Sequence, residues 1–494
     1  MLLMMGVSLY TVRVVLDTLG VVDYGLYNVV GGIVIMFSFL SGTMSSASQR
    51  FFAFELGRKN HDALRKTFSM TMIIYGIIAV LILILAETIG LWFLNNKMII
   101  PADRLEAVQW VYQFSILSFM MTMITIPYNA VIIARERMRV YAYVSIIEAV
   151  LKLLIVYLLV LFSLDKLKLY AVLMFVVTTL ITLIYRMYCL RRFHECKFYF
   201  YWDKRLFKEI IGYSGWNLFG AIASIFNNHG INIILNLFFG PTVNTARAIA
   251  YRINSTMSQF VLNFMTASRP QITKYYATGE KDKMLALVFQ TSKFCFILMF
   301  MLSIPLLLET NFVLEVWLKQ VPEYVVLFTR LIIVATLIDS LSYPLTTAAL
   351  ATGEIKIYQL VVGGILILVL PISYMFLKLG FPPQSVFYLA IVGSVIAMAL
   401  RLVMLRKMVA LNITRYFLQV VIPILLVLVP SYIVPLFVIQ EIQAGLLRFF
   451  VTTLVGLASS VLSVYLFALS KDEKRFVVNF IGNKVNAIMT LIKR

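Results

Sequence analysis

Apolar runs of about 20 residues, separated by short polar stretches, recur along the whole chain. At about 1.5 Å of rise per residue, about 20 residues cross the roughly 30 Å hydrocarbon core of a bilayer. The pattern predicts fourteen helical segments. The first six cover 1–16, 24–45, 69–94, 107–133, 141–162 and 169–189. A basic stretch, 191–208, separates these from the next six at 210–238, 245–267, 286–308, 324–350, 357–376 and 385–404. The last two are 418–438 and 446–469, followed by a basic tail. Strands of a membrane barrel would alternate over about 10 residues, and no such alternation is seen. The first segment is short, about 24 Å at helical rise; an upstream natural start and a shortened helix both stay open. It lacks the basic n-region and cleavage site of a signal peptide.

The seventh and eighth segments are unusually polar for such spans. The seventh carries Asn217, Ser224, Asn228, Asn232 and Asn236, with Asn227 and His229 beside them. Steps of three, four and seven hold such residues on one broad helical face. The eighth repeats Ala248, Arg252, Ser255, Gln259, Asn263 and Thr266 at steps of four and three. A charge at the bilayer centre costs about 2.5–3.5 kcal/mol, so this stripe faces other helices or water. Hydrogen bonds between helices would serve a single polar residue. Two adjacent helices striped along most of their length point to a hydrated cavity.

An internal repeat is visible. Ala47-Ser48 matches Ala267-Ser268, and Gly20 matches Gly240, at an offset of 220. Pro127, Ala134, Arg139, Tyr141 and Val144 match Pro344, Ala351, Lys356, Tyr358 and Val361 at an offset of 217. Two unlinked blocks with nearly one offset argue for duplication. Six helices return a chain to its starting side, so the two lobes are like-oriented, related by a pseudo-two-fold axis normal to the membrane. The expected fold is an all-α polytopic membrane protein of about fourteen transmembrane helices. Its parts are an N-lobe (1–190), a basic inter-lobe loop (191–208), a C-lobe (209–405), a helix pair (406–470) and a tail (471–494). Pro127 and Pro344 are expected to kink their helices.

Charge then orients the chain. With the N-terminus inside, the cytoplasmic stretches hold 30 Lys and Arg and the external ones 8. The positive-inside rule therefore places both termini in the cytoplasm. The net charge of +20 reflects these dispersed residues rather than a nucleic-acid surface. The chain is 61% hydrophobic and 13% charged, with a mean hydropathy of +0.92, which excludes an ordinary soluble domain. Cys189, Cys196 and Cys295 form no disulfide framework, and His194 lacks the partners of a metal site. No metal or cofactor is expected.

The stretch Leu19-Gly20-Val21-Val22-Asp23-Tyr24-Gly25-Leu26-Tyr27, a Gly-bearing helix and Ser48-Gln49-Arg50 resemble the start of bacterial polysaccharide transporters. These are the O-antigen and capsule flippases of the multidrug/oligosaccharidyl-lipid/polysaccharide exporter (MOP) superfamily. Phe239-Gly240-Pro241 and Ala267-Ser268-Arg269-Pro270 resemble the second-lobe counterpart. The resemblance implies export of an undecaprenyl-diphosphate-linked oligosaccharide across the bacterial inner membrane, for lipopolysaccharide or capsule assembly. It also implies a cationic cavity, and contacts with other assembly proteins and membrane lipids. Physics agrees on the charge: a dianionic head group crossing hydrocarbon needs fixed cations.

The candidate cations are Arg252, Arg13, Lys152, Arg330 and Lys293. Lys152 has Glu148 one turn earlier as an alternative partner; Lys293 and Arg330 lie near helix ends and can snorkel. Arg13 and Arg252 lack an acid within a turn, and Arg247 reads as a boundary residue at the external mouth. The cavity-lining candidates are Asn217, Ser224, Asn228, Asn232, Ser255, Gln259 and Asn263. Asp339, Glu148 and Glu87 are the candidates to bind a coupling Na+ or H+, and Tyr213, Trp216 and Tyr251 to stack on sugars. A multidrug or organic-cation antiporter of the same superfamily would want acids in the first-lobe cavity, where Arg13 stands instead. A membrane enzyme of polysaccharide assembly would need a large exposed loop or a clustered His/Asp set, and the three histidines are dispersed.

Overall fold

The computed structural model describes residues 38–97, 100–162, 164–318, 321–470 and 473–475, with 14, 15, 18–20, 23, 26, 27 and 30. The regular structure among them is entirely helical. The chain divides into two compact units, Met1–Ala221 with Thr273–Glu280, and Ile222–Ile272 with Lys281–Arg494.

The first unit contains α1 (Ser38–Gly57), α2 (His61–Leu85), α3 (Leu105–Ala134), α4 (Met138–Leu161) and α5 (Lys166–Arg192). α3 lies along α5 and also packs on α1 and α2. Its core joins Phe52, Phe68, Tyr128, Val131 and Tyr185. α2 continues through a π-helical turn, Ala86–Gly90, into Leu91–Lys97. The Tyr112 hydroxyl donates to Ala86 O at 2.7 Å in this turn. A Cβ at Gly90 would collide with that hydroxyl, so a larger residue there would displace the Tyr112 side chain and its bond to Ala86. Asp165 starts α5 by accepting from the N–H groups of Leu167 and Lys168 at 3.0 and 3.1 Å, as an N-cap should.

α6 (Lys204–Ala277) has two limbs that meet at Gly240. The second unit adds α7 (Lys281–Leu308), α8 (Thr310–Leu318), α9 (Val325–Thr352), α10 (Lys356–Lys378), α11 (Ser385–Val409), α12 (Ile422–Glu441) and α13 (Leu446–Ser463). α9 packs on α11 and α7, while α12 and α13 pair with each other and reach α7. Ile231, Leu235, Val325, Phe328 and Phe387 form the core beneath α6.

Eleven described helices are long and apolar enough to cross a membrane. They correspond to segments three to seven and nine to fourteen. The first two segments fall largely outside the described residues, and the eighth is the second limb of α6, continuous with the seventh. Pro127 and Pro344 lie inside α3 and α9 as predicted. The repeat also has a backbone signature. Gly20 and Gly240 have φ of 81° and 75°, and Lys59 and Gly279 have 54° and 76°; each pair is separated by 220 residues. Glu136 and Gly353, 217 residues apart, have φ of 59° and 83°. Left-handed backbone is uncommon outside glycine, so three matched positions carry the duplication into local structure.

Candidate functional site

Gly240 makes the site by breaking α6, with φ 75° and ψ −171°, a conformation essentially restricted to glycine. About two turns later Arg247 reaches back to the first limb. Its guanidinium donates to Asn228 O at 3.0 Å and Asn232 Oδ1 at 3.3 Å, and stacks 4.1 Å from the Tyr251 ring centroid. Only 6% of it is exposed. The boundary role expected of Arg247 is therefore corrected: it is the internal tie of the polar hairpin.

The two limbs, α9 and α11 enclose a cavity of about 220 Å³ within the second unit. α6 contributes Ser224, Asn227, Asn228, Tyr251, Asn254 and Ser258; α9 contributes Thr336, Asp339 and Tyr343. Asp339 is hydrogen-bonded to Ser394 of α11. Asn227 Nδ2 donates to Leu366 O of α10. With water occupying about 30 Å³ of liquid volume, the cavity holds several waters or a small hydrated cation, not an oligosaccharide.

Ser224, Asn228 and Asp339 are thus brought together. Asn217, Asn232, Ser255, Gln259 and Asn263 do not line this cavity. Asn232 serves Arg247, and Asn217 Nδ2 donates to Thr43 O at 3.4 Å in the first unit. Gln259 Nε2 lies 3.5 Å from Asn263 Oδ1 on an exposed face. The cavity takes the neighbouring face of the second limb, Tyr251, Asn254 and Ser258, whose own three- and four-residue steps were the signal available in the sequence.

The candidate cations separate by partner. Lys152 pairs with Glu148 at 2.6 Å. Lys293 meets Ala468 O and Glu473, the latter at 3.3 Å. Arg330 Nε donates to Thr310 Oγ1 at 2.9 Å. The Arg252 side chain is exposed and makes no ion pair or hydrogen bond among the described residues. Arg13 lies outside the described residues. Glu87 accepts from Gln113 Nε2 at 3.2 Å. Tyr213 is buried beneath Arg50, whose guanidinium stands 5.5 Å from its ring; Trp216 packs edge-on against Phe219. Among the described residues no cluster of His, Cys, Asp or Glu could hold a metal ion.

A model of polysaccharide biosynthesis proteins matches residues 1–276, more than half of the chain. The chain belongs to this family. The fold of the chain is shared with solved transporters of low sequence identity. An outward-facing multidrug resistance MATE transporter of the MOP superfamily is 14% identical, covers 82% of this chain and 93% of its own, and gives a TM-score of 0.69. MATE in the straight conformation gives the same four values. A MOP superfamily transporter from Pyrococcus furiosus, described by a binding pocket of reversed polarity, is 14% identical with a TM-score of 0.66 and coverage of 82% and 93%. No curated protein matches the chain in sequence. The chain is therefore a multi-pass membrane protein whose fold is that of these solved structures.

Proposed function

We propose that this protein is a flippase that exports an undecaprenyl-diphosphate-linked oligosaccharide across the bacterial inner membrane, with both termini cytoplasmic. Two six-helix lobes, 1–190 and 209–405, would alternate access to a cationic path. The family match supports polysaccharide work, and one observation supports the residue. Among the described candidate cations, Arg252 alone has its charge uncommitted, whereas Lys152, Lys293 and Arg330 each have a protein partner. Arginine suits a diphosphate because its planar fork donates two hydrogen bonds and stays charged at every relevant pH. The cavity beside Asp339 is too small for a glycan, and its size and single carboxylate suit the coupling Na+ or H+ instead. An organic-cation antiporter is the second reading, favoured by the same Asp339 among Tyr251, Tyr343 and Phe387.

The test is flipping of lipid diphosphates by the reconstituted protein. Loss of a charge-assisted phosphate contact costs roughly 1.5–3 kcal/mol, so Arg252→Gln should slow export about 10- to 100-fold. Arg252→Lys should retain part of the rate and Arg252→Glu none. Normal insertion with a parental rate in the Gln and Glu proteins would overturn the role. Export of organic cations, with no lipid diphosphate moved, would favour the second reading.

A further inference from the structure

The basic connector after α5 plays no part in the cavity, yet its side chains are sorted with unusual regularity. From Phe193 the chain makes a single 3-10 turn and then runs without helix to Asp203, with extended backbone at Lys197 and at Asp203. Phe198, Phe200 and Trp202 point outward with 53%, 76% and 48% exposure. Tyr199 and Tyr201, between them, point to α2. Arg65 lies 4.5 Å from the Tyr199 ring and Lys66 5.6 Å from the Tyr201 ring. The Tyr199 N–H also donates to Ser69 Oγ at 3.4 Å. These contacts fix the register, and period two then forces the three large aromatics outward. Extended backbone with exposed aromatics is costly in water, but indole and phenyl rings suit the bilayer interface.

The charges around it are one-sided. Residues 191–205 contain five cations, Arg191, Arg192, Lys197, Lys204 and Arg205, all exposed. Both acids of the stretch are occupied. Glu195 is buried against Arg135, with His61 at 3.6 Å. Asp203 caps α6 by accepting from Arg205 N and Leu206 N at 2.7 and 3.2 Å. Arg191 and Arg192, with Ile184, Met187 and Tyr188 on the same helix, also line an open surface pocket of about 360 Å³. An open pocket lined by two cations and by apolar side chains of the preceding turns, at the end of a membrane-crossing helix, matches a phospholipid: phosphate at the arginines, upper acyl chain along Ile184 and Met187.

We propose that the end of α5 and the connector 193–203 form a platform for anionic phospholipid of the surrounding leaflet. Phe198, Phe200 and Trp202 sit among the headgroups, and Arg191, Arg192 and Lys197 hold the phosphates. Polybasic segments beside a membrane span attract anionic lipid in this way, and aromatic insertion adds the apolar part. The platform sits on the stretch that joins α5 to α6, so lipid binding anchors that junction at the interface.

The purified full-length chain, titrated with phosphatidylglycerol or phosphatidylcholine and read by native mass spectrometry, tests this. Phosphatidylglycerol should be retained in preference to phosphatidylcholine. The Arg191→Gln/Arg192→Gln/Lys197→Gln protein should lose affinity for it by about five-fold per cation removed. In phosphatidylglycerol nanodiscs, the Phe198→Ser/Phe200→Ser/Trp202→Ser protein should exchange amide hydrogens over 194–205 faster than the parent. All six side chains are exposed, so both variants should keep the parental elution volume and unfolding midpoint; a variant that does not is replaced by its single substitutions. Equal retention of the two lipids would overturn the proposal, and so would undiminished phosphatidylglycerol binding by the glutamine protein. Displacement of the lipid by millimolar inorganic phosphate would show a soluble-anion site, and would overturn it equally.

Discussion

At the scale of single residues, what matters is which charges the protein has already matched. Asp339 lines the cavity in α9 with Ser394 as its hydrogen-bonding partner, while Glu148 is neutralised by Lys152 and Glu87 is bonded to Gln113. Asp339 is accordingly the acid to remove. Asp339→Asn keeps the shape and a partner for Ser394 but removes the negative charge that attracts a cation and the carboxyl that takes up and releases a proton. Export driven by an imposed sodium or proton gradient should fall to the ungraded rate, measured in the same liposomes with and without the gradient; retained gradient dependence would dismiss Asp339 as the coupling site. Glu473 gives a pH test. Burial pushes its carboxyl up, but the N–H of Ser470, Lys293, Gln290 and the Ser470 hydroxyl outweigh this and hold it below the ordinary glutamate value. A depressed carboxylate stabilises the fold above its unfolded pKa, about 4.3, and that contribution is lost as pH falls through the lower folded value. Thermal unfolding should therefore show a loss on acidification that Glu473→Gln abolishes, worth about 1 kcal/mol after solvent screening. A parental pH profile in that variant would refute the contribution of the Glu473 clip. Individual roles were only partly legible in the sequence. Glu148 beside Lys152 could be read from the four-residue spacing. Arg247 could not, because its partners Asn228 and Asn232 meet it only after Gly240 turns the chain back.

At the scale of elements, periodicity shows which residues share a face but not what that face meets. Arg252, Ser255 and Gln259 do share a face of the second limb, and it is exposed; the cavity lies on the adjacent face, at Tyr251, Asn254 and Ser258. The apolar segments were legible because membrane spans need long uninterrupted runs. The π-helical turn at Ala86–Gly90 was not, since it follows from a Tyr112 hydroxyl arriving from another helix. Close helix approach was equally hidden. A Cβ on Gly57 would lie 2.9 Å from both Cα and O of Lys274, and backbone atoms cannot yield as a flexible side chain can. Lys274 is further held to Glu136 by a 2.6 Å ion pair. Gly57→Ala should therefore push α1 away from the end of α6, destabilising the protein by about 1–3 kcal/mol as overpacking does. Gly76→Ala in α2 is the control, since nothing lies within 4 Å of its Cβ position. Equal unfolding midpoints for the two variants would show that the close approach at Gly57 is relieved at no cost.

At the scale of the whole molecule, duplication was the most legible feature, because turns constrain sequence more sharply than apolar helices do. Leucine, isoleucine and valine exchange freely on a lipid face, but a left-handed residue after a helix end does not. Lys59 and Gly279 mark equivalent turns, as do Glu136 and Gly353, and their spacings of 220 and 217 residues repeat those read from the sequence. The first two segments, 1–16 and 24–45 by the apolar pattern, lie mostly outside the described residues. Duplication has a consequence for sidedness that does not rest on the charge count alone. If six helices separate equivalent turns, the members of each pair must face the same side of the membrane, and the positive-inside rule predicts that side to be the cytoplasm. The native cysteines Cys189, Cys196 and Cys295 are all buried, so single added cysteines can be read against a quiet background. Asn60→Cys and Glu280→Cys, beside the first pair of turns, should both resist an impermeant thiol reagent applied outside cells and react once the membrane is opened. Glu354→Cys, beside the second pair, should behave likewise. Glu323→Cys, exposed ahead of α9, should react from outside. Opposite labelling of Asn60→Cys and Glu280→Cys would break the like-oriented duplication itself, whereas external labelling of both would keep the duplication and invert the topology.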